Sequence, residues 1–147
     1  MNPVDRRQFL QDSLWLAGVM PLCCSTPEAP PGSVSYRGAT LILDLNKVPG
    51  LRAAGSACAV MDAGRKLNLI VAHTEGRRFV ALDRACTHGG SMCTYNHKRR
   101  TLRCTSLNHA EYTLDGTLLH GRTHGNLRTY RVRLEGARLE ISLEAKA

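Results

Sequence analysis

The chain has 147 residues, of which 43% are hydrophobic and 22% are charged. This length suits a single domain and leaves no room for a second catalytic domain, and the composition is that of a globular protein, not a disordered or fibrous one. The net charge of +8 favours acidic partners, but one Trp, four Tyr and two Phe provide no stacking platform for single strands, so we expect no nucleic-acid partner.

The first 32 residues have the pattern of a targeting segment followed by a linker. Arg6 and Arg7 precede Phe9 and an apolar stretch over residues 14–22, which is similar to the twin-arginine (Tat) export signal. The stretch is shorter than the roughly 20 residues of a spanning helix. We therefore expect an exported protein of the periplasm or cell envelope, whose functional domain covers residues 33–147.

Two cysteines, Cys23 and Cys24, lie where an exported lipoprotein carries its acylated cysteine, and the Pro-rich residues after them suit a tether. The preceding Met20-Pro21-Leu22 matches a lipoprotein cleavage motif poorly. Two outcomes stay open from the sequence: membrane association through a lipid anchor, or cleavage and release of the domain.

The body of the chain has short apolar runs separated by turn residues, without the periodicity of an amphipathic helix. This pattern predicts an all-β fold. Turn sequences such as Asp115-Gly116 and Glu135-Gly136 predict hairpins between neighbouring strands. The predicted strands cover residues 40–45, 57–61, 67–74, 77–82, 101–104, 111–114, 127–134 and 138–143.

Two pairs of metal-binding side chains follow these strands. Cys86 and His88 form the first pair, and Cys104 and His109 form the second, with fifteen residues between His88 and Cys104. Two thiolates and two imidazoles, one of each from two loops, are the ligands of a Rieske centre, in which the cysteines hold one iron and the histidines the other.

The segment Cys86-Thr87-His88-Gly89-Gly90 resembles the first cluster-binding loop of the Rieske iron-sulfur family, and the resemblance extends over most of residues 40–143. It implies an antiparallel β-sandwich with a small, loop-rich cluster-binding subdomain, and one [2Fe-2S] cluster per chain bound by Cys86, His88, Cys104 and His109. The second loop departs from the family pattern, because four residues separate Cys104 from His109 where two are usual. Three other histidines therefore stay open as the fourth ligand: His97, His120 and His124.

The resemblance also implies how the loops differ from those of high-potential relatives. Ser91 and Ser106 stand where such relatives have a loop disulfide, which leaves Cys93 a free thiol unless it pairs with Cys58. Ala110 replaces a serine that donates a hydrogen bond to the cluster in those relatives, whereas Tyr112 retains the corresponding tyrosine. One donor lost and one kept predicts a potential in the lower or middle part of the range of about −150 to +300 mV.

These features predict an exported one-electron carrier that serves a respiratory or other oxidoreductase partner and has no catalytic site of its own. No small-molecule substrate other than a quinol is expected. The basic residues 97–100 are predicted to form a hairpin turn near the cluster. A solvated turn is the favoured interpretation of their charge, and docking of an acidic redox protein is the alternative. The alternative is an exported structural zinc module that acts in protein interactions, because two cysteines and two histidines also suit tetrahedral zinc.

Overall fold

A computed structural model describes residues 26–107 and 109–144 of the chain. This part of the protein is built from strands, with two single-turn 3-10 helices at Leu45–Lys47 and Pro49–Leu51. The all-β prediction is confirmed. The strands are β1 (Val34–Arg37), β2 (Thr40–Asp44), β3 (Ala57–Asp62), β4 (Leu67–His73), β5 (Phe79–Asp83), β6 (Cys93–Asn96), β7 (Thr101–Cys104), β8 (Glu111–Thr113), β9 (Leu118–His120), β10 (Thr129–Glu135) and β11 (Arg138–Ser142).

The strands form two antiparallel sheets. The larger sheet has the order β1-β2-β11-β10-β5-β4-β3, and the smaller sheet has the order β6-β7-β8-β9. One hydrophobic core, which includes Leu43, Leu69 and Ile141, belongs to the larger sheet. A second core joins Ile70 and Leu82 of that sheet to residues of the smaller one. This second core therefore packs the smaller sheet, and the loops at its end, against the larger sheet.

Each of the eight predicted strands has a counterpart in the structure. The hairpins β3-β4, β4-β5, β8-β9 and β10-β11 turn where Gly-containing sequences predicted them. Gly76, Gly116 and Gly136 in these turns have positive φ angles, which glycine adopts without steric cost. The sequence did not predict β1, β6 and β9, which are only three or four residues long.

The end of the predicted linker lies against the domain. The Ala59 N–H donates to the Pro27 carbonyl over 2.8 Å, and the Ala29 N–H donates to the Ala59 carbonyl over 2.8 Å. Ala29 also packs on the larger core. The predicted export signal at Arg6 and Arg7, and the proposed acylation sites, lie outside the described residues. Within residues 26–107 and 109–144, no helix has both the length and the hydropathy needed to cross a membrane.

Candidate metal centre

The first loop of the site connects β5 to β6. The Cys86 N–H donates to the Ser91 carbonyl over 2.7 Å, and the Gly90 N–H donates to the Cys86 carbonyl over 3.1 Å. These bonds close a tight turn in which Gly90 has a φ of +79°. The Cys93 N–H then donates to the Arg84 carbonyl over 2.7 Å. The loop thus returns to the sheet within a few residues and holds Cys86 beside the first residue of β6.

The second loop connects β7 to β8. The Cys104 N–H donates to the Ala110 carbonyl over 2.8 Å, which closes the base of the loop. A turn then forms at its tip, where the His109 N–H donates to the Ser106 carbonyl over 3.1 Å and His109 has a φ of +46°. Leu107 in this turn is 95% exposed. Leu107 therefore extends from this loop into solvent.

Three buried thiols meet between the two loops. The sulfur atoms of Cys86, Cys93 and Cys104 all lie within 4.8 Å of one another, and the residues are only 3%, 0% and 2% exposed. The His88 Nδ1 atom lies 2.8 Å from the Cys86 sulfur and 3.9 Å from the Cys104 sulfur. The structure thus brings together three of the predicted ligands, and adds Cys93, which the sequence analysis did not include among them.

The fourth predicted ligand, His109, is exposed at the tip of the second loop. Its ring nitrogens, like those of His88, do not belong to the group of ligand atoms that all lie within 4.8 Å of one another. Two alternative histidines have other partners: His97 Nδ1 lies 3.0 Å from the Tyr95 hydroxyl, and His120 Nε2 lies 2.8 Å from Glu111. His124 is exposed. In the described part of the chain, His88 is the one histidine placed beside the thiols.

Hydroxyl groups surround the thiols. The Tyr112 hydroxyl lies 3.1 Å from the Cys86 sulfur and 3.1 Å from the Thr87 hydroxyl, which itself donates to the Gly125 carbonyl. A Cys86 thiolate has no proton to donate, so Tyr112 is the donor towards it. The Ser106 hydroxyl lies 3.1 Å from the Cys104 sulfur. The tyrosine contact predicted from the resemblance is confirmed, and a serine at a former disulfide position approaches the other sulfur.

The surroundings of the cysteines shift their pKa values in opposite directions. Burial alone would raise the pKa of the Cys86 thiol, but hydrogen bonds with Tyr112 and His88 outweigh burial and lower that pKa to about 7. Burial raises the pKa of Cys58 to about 12. Burial also raises the pKa of Cys93, and the neighbouring Cys86 and Cys104 raise it further. Of Cys58, Cys86 and Cys93, Cys86 is therefore the thiol best prepared to ionise before a metal binds.

Cys93 and Cys58 are not bonded to each other. All four cysteines of the described residues are free thiols. Cys58 belongs to the core of the larger sheet, whereas Cys93 belongs to the core that joins the two sheets. The expectation of a free thiol at Cys93 is confirmed, and the alternative pairing with Cys58 is not formed.

The basic turn over residues 97–100 does not lie near the thiols, so that prediction of its place is wrong. Strand β6 begins at Cys93 and β7 ends at Cys104, and these residues are paired across the hairpin. The turn is therefore at the opposite end of both strands. Arg99 is paired with Glu111 at 2.8 Å and Arg100 with Glu75 at 3.6 Å, because the hairpin tip faces acidic residues of neighbouring segments.

The base of the smaller sheet contains a buried carboxylate. The Glu111 side chain is 3% exposed and accepts hydrogen bonds from Thr101 at 2.5 Å, from Arg99 at 2.8 Å and from His120 at 2.8 Å. The hydrogen bond from Thr101 is the main reason that the pKa of Glu111 lies below its usual range, and His120 and Arg99 lower it further against the effect of burial. The ionised form of Glu111 thus stabilises the sheet that supports the thiols.

Replacement of Glu111 by glutamine is expected to lower the free energy of unfolding by about 2 kcal/mol at pH 7, because hydrogen bonds to charged groups contribute about 1.5–3 kcal/mol. A depressed carboxyl pKa stabilises the fold above the unfolded-state value of about 4.3, and this contribution disappears as the pH falls through the folded-state value. Urea unfolding from pH 7 to pH 3 should show the two proteins converging at acid pH. Glu75→Gln, which removes the exposed partner of Arg100, should cost less than about 1 kcal/mol. A difference that does not change with pH would contradict this account.

A groove of about 370 Å³ lies away from the thiols. It is lined by Arg77, Arg78, Phe79 and Arg100, among others, and by none of the four predicted ligands. The groove therefore gives no substrate access to the centre described above.

The arrangement of the strands is similar to that of solved iron-sulfur proteins. A plasma membrane Rieske protein, PetC3 from the cyanobacterium Synechocystis PCC 6803, is 20% identical over 69% of this chain and 90% of its own, with a TM-score of 0.50. The ferredoxin of carbazole 1,9a-dioxygenase from Nocardioides aromaticivorans IC177 is 16% identical over 69% of this chain and 93% of its own, with a TM-score of 0.56.

The fold is Rieske-like. A chain from a complex of reduced oxygenase and oxidized ferredoxin in carbazole 1,9a-dioxygenase is also similar, with 19% identity over 66% of this chain and 88% of its own and a TM-score of 0.55. No protein-family model matches the sequence, and no curated protein sequence matches it. The Rieske-like fold thus rests on the three-dimensional arrangement and not on sequence similarity.

The residues present fit an iron-sulfur group with one difference from the Rieske pattern. The thiols of Cys86 and Cys104 and the imidazole of His88 meet between two loops, and Tyr112 is positioned to donate to a ligand sulfur. Cys93 lies beside this set, whereas His109 is exposed.

Proposed function

We propose that this chain is an exported one-electron carrier with a [2Fe-2S] cluster, one per chain, at the three-thiol site. The observation that carries the proposal is the meeting of Cys86, His88 and Cys104 between two loops of a Rieske-like fold. These three residues are proposed as ligands in every version of the assignment. The sequence pattern supplies His109 as the fourth.

A bound iron-sulfur cluster supplies a one-electron couple without bond chemistry on a substrate. The residues of the chain hold and shield it. The buried thiols of Cys86 and Cys104 face the interior, whereas His88 is only partly buried and lies nearer to solvent. The smaller sheet fixes both loops by backbone hydrogen bonds, so little rearrangement is needed when the charge of the site changes.

Anaerobic purification followed by iron and acid-labile sulfide analysis tests this function. The expected result is two irons and two sulfides per chain, together with an EPR signal after reduction. A protein that is free of iron and sulfide after anaerobic expression in an iron-replete host would overturn the proposal.

Removal of the Tyr112 hydroxyl should lower the reduction potential. This hydroxyl lies 3.1 Å from the Cys86 sulfur, and a donor stabilises the reduced, more negative state more than the oxidised state. If this hydrogen bond favours the reduced state by about 1.4 kcal/mol, its removal lowers the reduction potential by about 59 mV for a one-electron couple. Redox titration of Tyr112→Phe measures this shift, and Tyr95→Phe is the control because its hydroxyl contacts His97 instead. An equal shift in the two variants would contradict the role given to Tyr112.

Export and the redox partner are also proposals. The Arg6-Arg7 pattern supports twin-arginine export, a route that transports folded proteins and suits a cofactor inserted in the cytoplasm. The similar structures include a plasma membrane Rieske protein and ferredoxins of a dioxygenase. We therefore propose a cell-envelope location, with or without a lipid anchor, and a protein redox partner in a respiratory or other oxidoreductase system.

A structural zinc module is the second candidate. Three thiols and one imidazole suit tetrahedral zinc as well as they suit iron, and the structure provides that combination in Cys86, Cys93, Cys104 and His88. Zinc without sulfide in the purified protein would favour this candidate, in which the domain acts as an interaction module.

A further inference from the structure

We propose that Cys93, and not His109, is the fourth ligand, so that the centre is held by three thiolates and one imidazole. The inference rests on the proposed function for the identity of the bound group, but its argument concerns the positions of this chain's own residues. The ligand set would then be Cys86, Cys93, Cys104 and His88.

The register of the smaller sheet places Cys93 directly opposite Cys104. The Thr105 N–H donates to the Met92 carbonyl over 3.0 Å, so the two cysteines form a pair that is not itself hydrogen-bonded. Such pairs have the shorter Cα separation, about 4.5 Å, and their side chains project from the same face of the sheet. Strand geometry therefore holds the two thiols together without any contribution from the flexible loop tips.

Cys93 also meets the first loop. Its sulfur lies within 4.8 Å of the Cys86 sulfur as well as the Cys104 sulfur, and the residue is 0% exposed. Cys93 packs in the core that joins the two sheets, as a structural free thiol does. In addition, its thiol faces the two sulfurs proposed as ligands, which a purely structural thiol has no need to do.

His109 lacks these properties. It lies at the exposed tip of the second loop with a φ of +46°, a conformation that is uncommon for residues other than glycine. The turn at this tip is closed by the His109 N–H, which donates to the Ser106 carbonyl. Cys93 thus already lies with the other two thiols, whereas His109 is exposed.

The exchange of one imidazole for one thiolate changes the chemistry of the centre. Replacing a neutral ligand by an anionic one makes the site more negative by one charge, and a more negative site is harder to reduce. The potential should then lie below those of centres with two cysteines and two histidines. The centre would also present one imidazole to a partner instead of two.

Paired variants test the ligand set. We expect Cys93→Val to retain less than about a tenth of the bound iron and sulfide, since loss of even a group that only supports a ligand costs 10–100-fold in affinity. His109→Ala should retain the full complement with an unchanged EPR spectrum. Cys58→Val is the matched control, because it replaces another buried cysteine and should keep the cluster. The reverse pattern, with iron lost in His109→Ala and kept in Cys93→Val, would overturn the inference.

A measurement on the unmodified protein covers the case in which Cys93→Val does not fold. Pulsed EPR of reduced protein labelled with ¹⁵N-histidine counts the imidazole nitrogens that bind iron. One strongly coupled histidine nitrogen is expected, and two would overturn the inference. If the purified protein contains zinc without sulfide, the proposed function fails. Loss of that zinc in Cys93→Val and its retention in His109→Ala would still support the ligand set, and the opposite result would overturn it.

Discussion

Replacement of Cys104 by serine should abolish binding of the cluster. Cys104 contacts residues from both sides of the site. Its sulfur lies 3.9 Å from His88 Nδ1 of the first loop, and the residue is paired with Cys93 across the hairpin. It is a ligand in both versions of the ligand set. Removal of a group that only supports a ligand lowers the metal affinity about 10–100-fold. Removal of the ligand itself should therefore lower the affinity of the site for the cluster more than about 100-fold.

The measurement is the iron and sulfide content of the anaerobically purified variant, with circular dichroism to show that the sheets have formed. Cys58→Ser is the control, because Cys58 is also a buried cysteine but lies in the core of the larger sheet. It should lose stability and keep its cluster. Full iron and sulfide content in folded Cys104→Ser would rule out the proposed centre.

Replacement of Gly116 by alanine should destabilise the domain by about 3 kcal/mol or more. Gly116 has a φ of +86°, and a Cβ atom at this position would collide with the Leu127 carbonyl oxygen. The Leu127 N–H also donates to the Gly116 carbonyl over 2.8 Å, so the two segments cannot separate without losing a hydrogen bond. Left-handed backbone costs about 1–2 kcal/mol for a residue with a Cβ, and steric overpacking adds typically 1–3 kcal/mol.

Urea denaturation at pH 7 measures this effect, and Gly76→Ala provides a matched comparison. Gly76 also lies in a hairpin and has a φ of +62°, but a Cβ there would meet no atom within 4 Å. Only the backbone cost of about 1–2 kcal/mol should remain. Similar losses in the two variants would show that the contact with Leu127 is not the source of the effect.

The sequence was sufficient for the strands that carry strong local signals. Apolar runs bounded by Asp115-Gly116 or Glu135-Gly136 specify hairpins by local chemistry alone, and the structure contains them. Strand β6 escaped prediction because Cys93 and Asn96 have no preference for strands and the run is four residues long. It forms because β7 offers a partner across the turn, which is a tertiary effect.

The candidate site was predictable to the extent that its ligands are close in sequence. Cys86 and His88 lie in one tight loop, and Cys104 ends a predicted strand. The role of Cys93 depends on pairing across β6 and β7, which no spacing motif expresses. A signal was nonetheless present: a hairpin that turns at residues 97–100 pairs Asn96 with Thr101, and the same register leads three residues further to Cys93 and Cys104.

The short segment before the first strand covers part of one edge of the larger sheet. Strand β3 is the last strand of the larger sheet, and an uncovered sheet edge is a template for pairing with another molecule. Pro27 and Ala29 form hydrogen bonds with the backbone N–H and carbonyl of Ala59 on that edge. Any processing of the leader that removed residues 26–32 would uncover it, so we expect the intact segment to be needed for the protein to remain dispersed at high concentration.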